Sequence, residues 1–417
     1  MKKTFYLLVS LVLLISCSEN ETAVLSSKIA LKEITIENNQ IKLEWNRPYI
    51  RNFSYYAIYR TNQPLTSVYD YYYSSIAQIY DIEETVYFDD LTLENNVYYT
   101  IVAFSSDNEP LISNSQKFER KNLIVFEESP NDVVFSSQNN LLFVFIENKI
   151  YKCDYDSMEI KDTIVLASSL NYGSVGIYNN ETELYVSCSN GYVRIYDTND
   201  FTEKGFVFIG GSVKSAILDK YDILYIKTYL NYDGKVYSCQ RSTLNLIDEY
   251  TSWYSYDCKI KHFKNSNRIV EIPSSSRIVY YDHDNNGSFT DSDYIYDYDY
   301  PKSNDIFELF PDEDKIITHK SGAIYNSSFN YIAQLGDNYY DYYNHFFVAD
   351  YIYAASAVAK EIKLFSKTSY SLIDTYNTSF YPMYVFKDNN ELIIFGSNDN
   401  SYYSNRKYSI EKLTLNK

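Results

Sequence analysis

The stretch ELYVSCSNGYVRIYD, Glu183 to Asp197, decides how most of this chain is read. An apolar run of strand length is followed by Ser-Asn-Gly and then by a segment in which apolar and polar residues alternate. That is a buried strand, a tight turn and a half-buried strand. The same pair recurs. Runs of the first kind are LLFVF at Leu141, ILYIKT at Ile223, RIVEI at Arg268, KIITH at Lys315, YIYAAS at Tyr351 and ELIIFGS at Glu391. The second core residue of each gives Phe143, Tyr185, Tyr225, Val270, Ile317, Tyr353 and Ile393, at intervals of 42, 40, 45, 47, 36 and 40. Each run is followed by a second strand, as in KIYKCD, GKVYSCQ, SRIVYYD, GAIYNS, KEIKLFS and RKYSIEK. A polar turn and a further strand come next, as in IKDTIVL, EKGFVFI, LNLIDEY, YIAQLG and SLIDTYN.

Four strands per unit of ~40 residues, with no helical periodicity, resemble the blades of seven-bladed β-propellers of the YVTN and WD-repeat-like groups. The WD dipeptide and the YVTN tetrapeptide are both missing, so the resemblance implies a fold and no activity. A second β-sandwich or a β-solenoid is the other arrangement such repeats allow. The last unit ends at RKYSIEKLTLNK without a fourth strand, and NLIVFE, Asn122 to Glu127, is the segment expected to fill that place. Pairing the two ends removes an open sheet edge.

Ahead of the repeats, residues 28–118 read as seven short strands: Ile29–Ile36, Ile41–Trp45, Tyr55–Arg60, Ile76–Ile79, Thr85–Phe88, Val97–Phe104 and Ser113–Phe118. IKLEWNRP with Trp45, SYYAIYR, TVYFDDL and LENNVYYTIVAF resemble a fibronectin type III module, with Leu93 and Tyr99 at the spacing of its tyrosine corner and Ile101 and Ala103 facing inward. The expected class is all-β: a fibronectin type III-like β-sandwich over 28–118, then a seven-bladed β-propeller over 122–417. The resemblance implies a spacer or a partner-binding surface for the first module.

The N-terminus carries an address. Lys2 and Lys3, an apolar run from Phe5 to Ile15, and Ser16 before Cys17 have the layout of a secretory signal. The run is short of the ~20 residues a membrane-spanning helix needs. Leu14-Ile15-Ser16-Cys17 resembles a bacterial lipobox, which implies removal of residues 1–16, lipidation of Cys17, and an acidic tether over 17–27. Ser18-Glu19-Asn20-Glu21 resembles the export signal of surface lipoproteins, so the expected location is the outer membrane, facing the exterior, with the periplasmic face as the alternative. The membrane is then met through the lipid anchor only.

The net charge is −18, and −20 once the two signal lysines are gone, which repels phosphate backbones and excludes nucleic acid as a partner. The remaining cysteines, Cys153, Cys188, Cys239 and Cys258, form no Cys-x-x-Cys pair and are expected as buried thiols, with disulfides, which an oxidising compartment permits and spacing does not assign, as the alternative. The histidines, His262, His283, His319 and His345, are assigned to different units with no metal-ligand spacing. Gly210-Gly211 is a turn, and no Gly-x-Ser-x-Gly elbow occurs.

Two features point to ligands. DHDNNGSFTDSD, Asp282 to Asp293, resembles an EF-hand-type loop: Asp282, Asp284, Asn286 and Asp293 would give side-chain oxygens to calcium, Ser288 its carbonyl, and Gly287 the sharp turn. Its flanks are strands and its last position is Asp instead of Glu, so an Asp- and Asn-rich hairpin turn is the alternative reading. Tyrosines cluster at Tyr69–Ser75, Tyr294–Tyr300 and Asp337–Phe347. Of these, Tyr339, Tyr340, Tyr342 and Tyr343 are the candidates for contacting a protein or glycan. The expected function is non-enzymatic binding or scaffolding. A lactonase-like propeller hydrolase is the alternative, and it needs carboxylates and histidines converging on the channel, where SVGIYN, VKSAILD and FYPMYVF offer few.

Overall fold

The computed structural model describes residues 28–415 apart from 38–39, 68–73, 91–95, 108, 121–122, 231–232, 253–257, 264, 275–276, 298, 300–306, 313, 337–341 and 401–405. Cys17 and the tether expected over 17–27 lie outside the described residues, as do Leu93, Tyr339 and Tyr340. Apart from one short 3-10 turn at Ser137–Asn139, the regular structure described is entirely β. The chain divides into two compact units, formed in the main by Lys42–Phe88 with Val97–Phe118 and by Glu119–Lys417.

The smaller unit is built around Phe53–Thr61, which pairs with Ala77–Ile79 on one side and Asn96–Ser105 on the other; Leu111–Ile112 and Gln116–Glu119 join the latter. A three-stranded sheet holds Gln40–Glu44 between Thr35–Glu37 and Val86–Asp90. Trp45 is fully buried and meets the Tyr56 ring edge-on at 5.4 Å, and Tyr99, Ile101 and Ala103 are all buried. The strand expected over 29–36 shrinks to Thr35–Glu37, leaving an isolated bridge from Leu31 to Trp45. The reason is Asn114, whose side chain accepts the Leu31 N–H at 3.0 Å and donates to the Leu31 carbonyl at 3.1 Å. A side chain thereby takes the place of a strand partner.

The larger unit contains seven four-stranded antiparallel sheets. The first is Asp132–Ser136, Leu141–Ile146, Lys149–Asp154 and Glu159–Val165; the second is Leu170–Tyr178, Glu181–Cys188, Tyr192–Asp197 and Glu203–Phe208. The third is Ser212–Leu218, Ile223–Leu230, Asp233–Gln240 and Leu246–Ser252; the fourth is Ile260–Phe263, Arg268–Ser274, Arg277–His283 and Phe289–Tyr296. The fifth is Phe307–Leu309, Lys315–Thr318, Ala323–Asn326 and Tyr331–Gln334; the sixth is Tyr342–Val348, Tyr351–Ser356, Glu361–Ser366 and Leu372–Asn377. The seventh takes Tyr381–Asp388, Glu391–Ser397 and Tyr408–Thr414 from the C-terminal end of the chain. Its fourth strand is Leu123–Phe126, paired antiparallel with Tyr408–Thr414 so that Phe126 faces Tyr408 and Leu123 faces Glu411. Of the strand expected from Asn122 to Glu127, Leu123–Phe126 is present and paired as the fourth strand of the seventh sheet, and Asn122 lies outside the described residues.

Second strands are apolar on both faces because both faces are covered: every residue of LLFVFI is buried, whereas the fourth strand EIKDTIV is almost wholly exposed. The covering is regular. Seven apolar clusters each join two sheets, such as Phe143 and Phe145 with Leu184 and Val186 between the first and second. The others join second to third, third to fourth, fourth to fifth, fifth to sixth and sixth to seventh. The last joins seventh to first, through Ile393 and Phe395 against Leu142 and Val144. All four described cysteines are thiols buried in this packing, where loss of solvent pushes the Cys239 thiol up to about 12.

Candidate functional site

The first strands of the seven sheets carry a chain of polar contacts. Asp132 accepts the Gly173 N–H at 3.0 Å, and Ser174 donates to the Ala216 carbonyl at 2.6 Å. The Ile260 N–H reaches Ser215 Oγ at 3.3 Å, and Lys261 pairs with Glu308. Asn344 donates to Glu308 at 3.3 Å and accepts the Val385 N–H at 3.2 Å, and the Tyr384 hydroxyl returns to Asp132 at 3.4 Å. Lys259 forms a further ion pair with Asp132.

These strands line two cavities, of about 440 and 260 Å³, with Lys259, Lys261 and Glu308 common to both. Reading the first strands as apolar missed these charges. In CKIKHF, Lys259 and Lys261 stand at alternate positions, and that spacing is the signal that they share a face.

His262 also borders the larger cavity. It is not isolated from the other histidines as the sequence suggested. His262 on the first strand and His283 at the end of the third belong to the same sheet, and their Nε2 atoms are 2.8 Å apart. Asp219, just past the first strand of the preceding sheet, completes a group whose possible ligand atoms all lie within 4.8 Å of one another.

Asp219, His262 and His283 are 5%, 7% and 4% exposed. Burial raises the Asp219 carboxyl above its ordinary range, against hydrogen bonds from the Ile223 and Tyr221 amides. Burial lowers His283, partly opposed by its hydrogen bond to Asp284 and the charge of Asp219. The Tyr225 hydroxyl lies 2.7 Å from His283 Nδ1 and is itself pushed up by burial and by Asp219. The other two histidines differ. His319 stacks on Tyr343 with centroids 5.4 Å apart, and His345, fully buried, is driven down to about 3 by loss of solvent and then by His319.

Tyr342 is fully buried among Phe310, Ile352 and Phe365, so its ring is a core ring and is not offered to a ligand; Tyr343 is half-buried on His319. Asp282 is gripped by Arg268 through two hydrogen bonds, of 2.6 and 2.7 Å. Asp284 Oδ1 accepts the Asn286 and Ser288 amides, both at 2.9 Å, which closes a turn. Asp293 stands in the following strand opposite Tyr280, two ladder positions beyond the Asp291 that faces Asp282. Asp284, Asn286 and Ser288 thus share one turn, while Asp282 is engaged by Arg268 and Asp293 lies in the following strand.

The chain matches no protein-family model, and no curated protein matches it.

Proposed function

We propose that this chain is a lipid-anchored binding or scaffold protein of the outer membrane, facing the exterior. Cys17 would carry the anchor, and the N-terminal module would be a fibronectin type III-like spacer. The seven sheets would form a seven-bladed propeller that engages a protein or glycan partner. The ring is supported by two features: each apolar cluster joins consecutive sheets and the last joins seventh to first, and the polar contacts of the first strands run the same circuit. The cavity-lining Lys259 and Lys261 pair with the buried Asp132 and with Glu308 respectively, which suits a structural hub better than an acid-base pair.

The observation that carries the binding reading lies on the fourth strands. Those of the first six sheets all expose large apolar or aromatic side chains, including Val165, Phe206 and Phe208, Leu246, Tyr294 and Leu372. Phe208 is 60% exposed and Val165 63%. Edges bearing such groups are suited to a partner surface. The test is affinity capture from outer membranes with the full chain and with Phe206→Ser/Phe208→Ser and Leu372→Ser/Ile373→Ser variants. Loss of a specific partner in a variant whose unfolding transition is unchanged supports the reading; capture that is indifferent to every outer-strand substitution rejects it. Anchoring is tested separately by Cys17→Ser, which should move the protein from the membrane fraction to the soluble one. The alternative, a lactonase-like hydrolase, rests on His262 at the cavity wall and predicts turnover of a lactone or ester panel that is abolished by His262→Gln.

A further inference from the structure

We infer that Asp219, His262 and His283 form a binding site for one divalent transition metal of the zinc class. Three independent features of the cluster lead there. The first is an unsatisfied anion. Asp219 Oδ1 accepts the Tyr221 and Ile223 amides, both at 2.8 Å, while Oδ2 is buried with no hydrogen-bond partner. A buried carboxylate oxygen without a donor is costly, and a cation satisfies it.

The second is the orientation of His283. Its Nδ1 lies 2.9 Å from the Asp284 carbonyl oxygen, which can only accept, so the ring proton sits on Nδ1. The lone pair of the neutral ring is then on Nε2. Fixing one imidazole nitrogen on a backbone carbonyl so that the other is presented to a metal is the usual outer support of histidine ligands. The Tyr225 hydroxyl, 2.7 Å from the same Nδ1, braces the ring from the preceding sheet.

The third is convergence. The lone pair on His283 Nε2 faces His262 Nε2 at 2.8 Å, and the aspartate comes from a different sheet. Tetrahedral zinc with bonds of 2.0–2.1 Å separates its ligand atoms by about 3.3 Å, so the ion enters by parting the rings about 0.5 Å. Two imidazoles and one carboxylate suit zinc, cobalt or nickel; calcium, which wants six to eight oxygens, is excluded. Water takes the fourth position. The Asp282–Asp293 stretch therefore contributes to this site through the His283 ring and the Asp284 backbone carbonyl, not through its carboxylates.

The experiment strips the purified full chain of metal with a chelator and titrates it with cobalt and then zinc. The expected result is one equivalent of cobalt with the visible absorption of a four- or five-coordinate ion, displaced by zinc and not by millimolar calcium. Asp219→Asn and His262→Gln should each weaken binding by at least about a hundredfold, with Asp291→Asn as an unaffected control. Should both ligand variants fail to fold, Tyr225→Phe removes only the bracing hydroxyl and should weaken binding by about 10- to 100-fold. A wild-type chain that takes up no stoichiometric cobalt overturns the proposal. So does a folded His262→Gln or Tyr225→Phe chain with unchanged affinity and spectrum.

Discussion

The Lys227 ammonium lies 2.7 Å from the Glu271 carboxylate, and neither side chain has any exposure to solvent. The pair joins the third sheet to the fourth, and Glu271 also receives the Tyr281 hydroxyl at 2.8 Å and the Cys258 thiol at 3.4 Å. A second pair does the same between the second and third sheets, where Arg241 holds Glu183 through two hydrogen bonds of 2.6 and 2.8 Å beside Tyr185. Breaking such a pair leaves a lone charge in a dry interior, which is worse than having no pair at all. Lys227→Met should lower the free energy of unfolding by about 3–5 kcal/mol in urea titration, and Lys227→Met/Glu271→Leu should regain most of that loss. A double variant no more stable than the single one would show that the pair contributes more than its desolvation costs.

His345 makes the fold sensitive to acid. It is 1% exposed, neither ring nitrogen has a hydrogen-bond partner, and it packs beside Tyr342 and His319. Its folded pKa, about 3, lies below the ordinary imidazole value of 6.5. The unfolded chain therefore takes up a proton that the folded chain refuses. Stability is intact above pH 6.5 and falls as the pH drops from there toward 3, by about 3 kcal/mol at pH 4. His345→Leu should remove that part of the acid sensitivity, read as a smaller difference between unfolding curves at pH 7 and pH 4. Identical differences in both proteins would place the sensitivity elsewhere.

How far the sequence could be read follows from how local each signal is. Apolar runs such as LLFVFI and their turns lie within ten residues of one another, so the strands and their grouping in fours were legible. The first strands were harder: VKSAILD looks apolar, yet Lys259 and Lys261 on the next sheet and Glu308 beyond it meet in one cavity. The histidine cluster was hidden more deeply. His262 and His283 are separated by a whole strand, and Asp219 reaches them only because the third sheet packs on the fourth. Spacing rules for metal ligands presume one loop or one helix, and no such rule spans two sheets.

The seventh sheet offers a test of closure. Leu123, Ile124 and Phe126 are buried, and the latter two sit in the cluster between the seventh and first sheets. Phe126→Ala should cost about 3–5 kcal/mol, the range for emptying a packed aromatic site. Deleting residues 122–127 should do more, since it leaves Tyr408–Thr414 as an open edge and invites association. Size-exclusion chromatography and thermal denaturation read both effects. A deletion variant that stays monomeric with an unaltered cooperative transition would mean that the strand is an accessory.

The Asp282–Asp293 loop is best understood by comparison with its siblings. In five other sheets the turn between third and fourth strands places one residue in the left-handed region: Met158, Phe201, Leu244, Phe329 and Tyr370, with φ from 52 to 60°. The amides of Phe201, Leu244, Phe329 and Tyr370 donate back three or four residues, as Gly287 does to the Asp284 carbonyl. Gly287, at φ 88°, therefore occupies the position of this repeated turn. It is glycine because a Cβ there would come within 2.9 Å of Ile223 Cγ2 on the third sheet. The glycine that suggested a calcium loop thus has a sufficient cause in the fold, and Arg268 already neutralises Asp282. Unfolding in millimolar calcium and in a calcium-selective chelator should give the same midpoint. Asp284→Ala should lower stability by about 1 kcal/mol in both, through loss of the hydrogen bonds that close the turn. A calcium-dependent rise that disappears with Asp282→Ala would show that the ion displaces Arg268 and gathers the carboxylates after all.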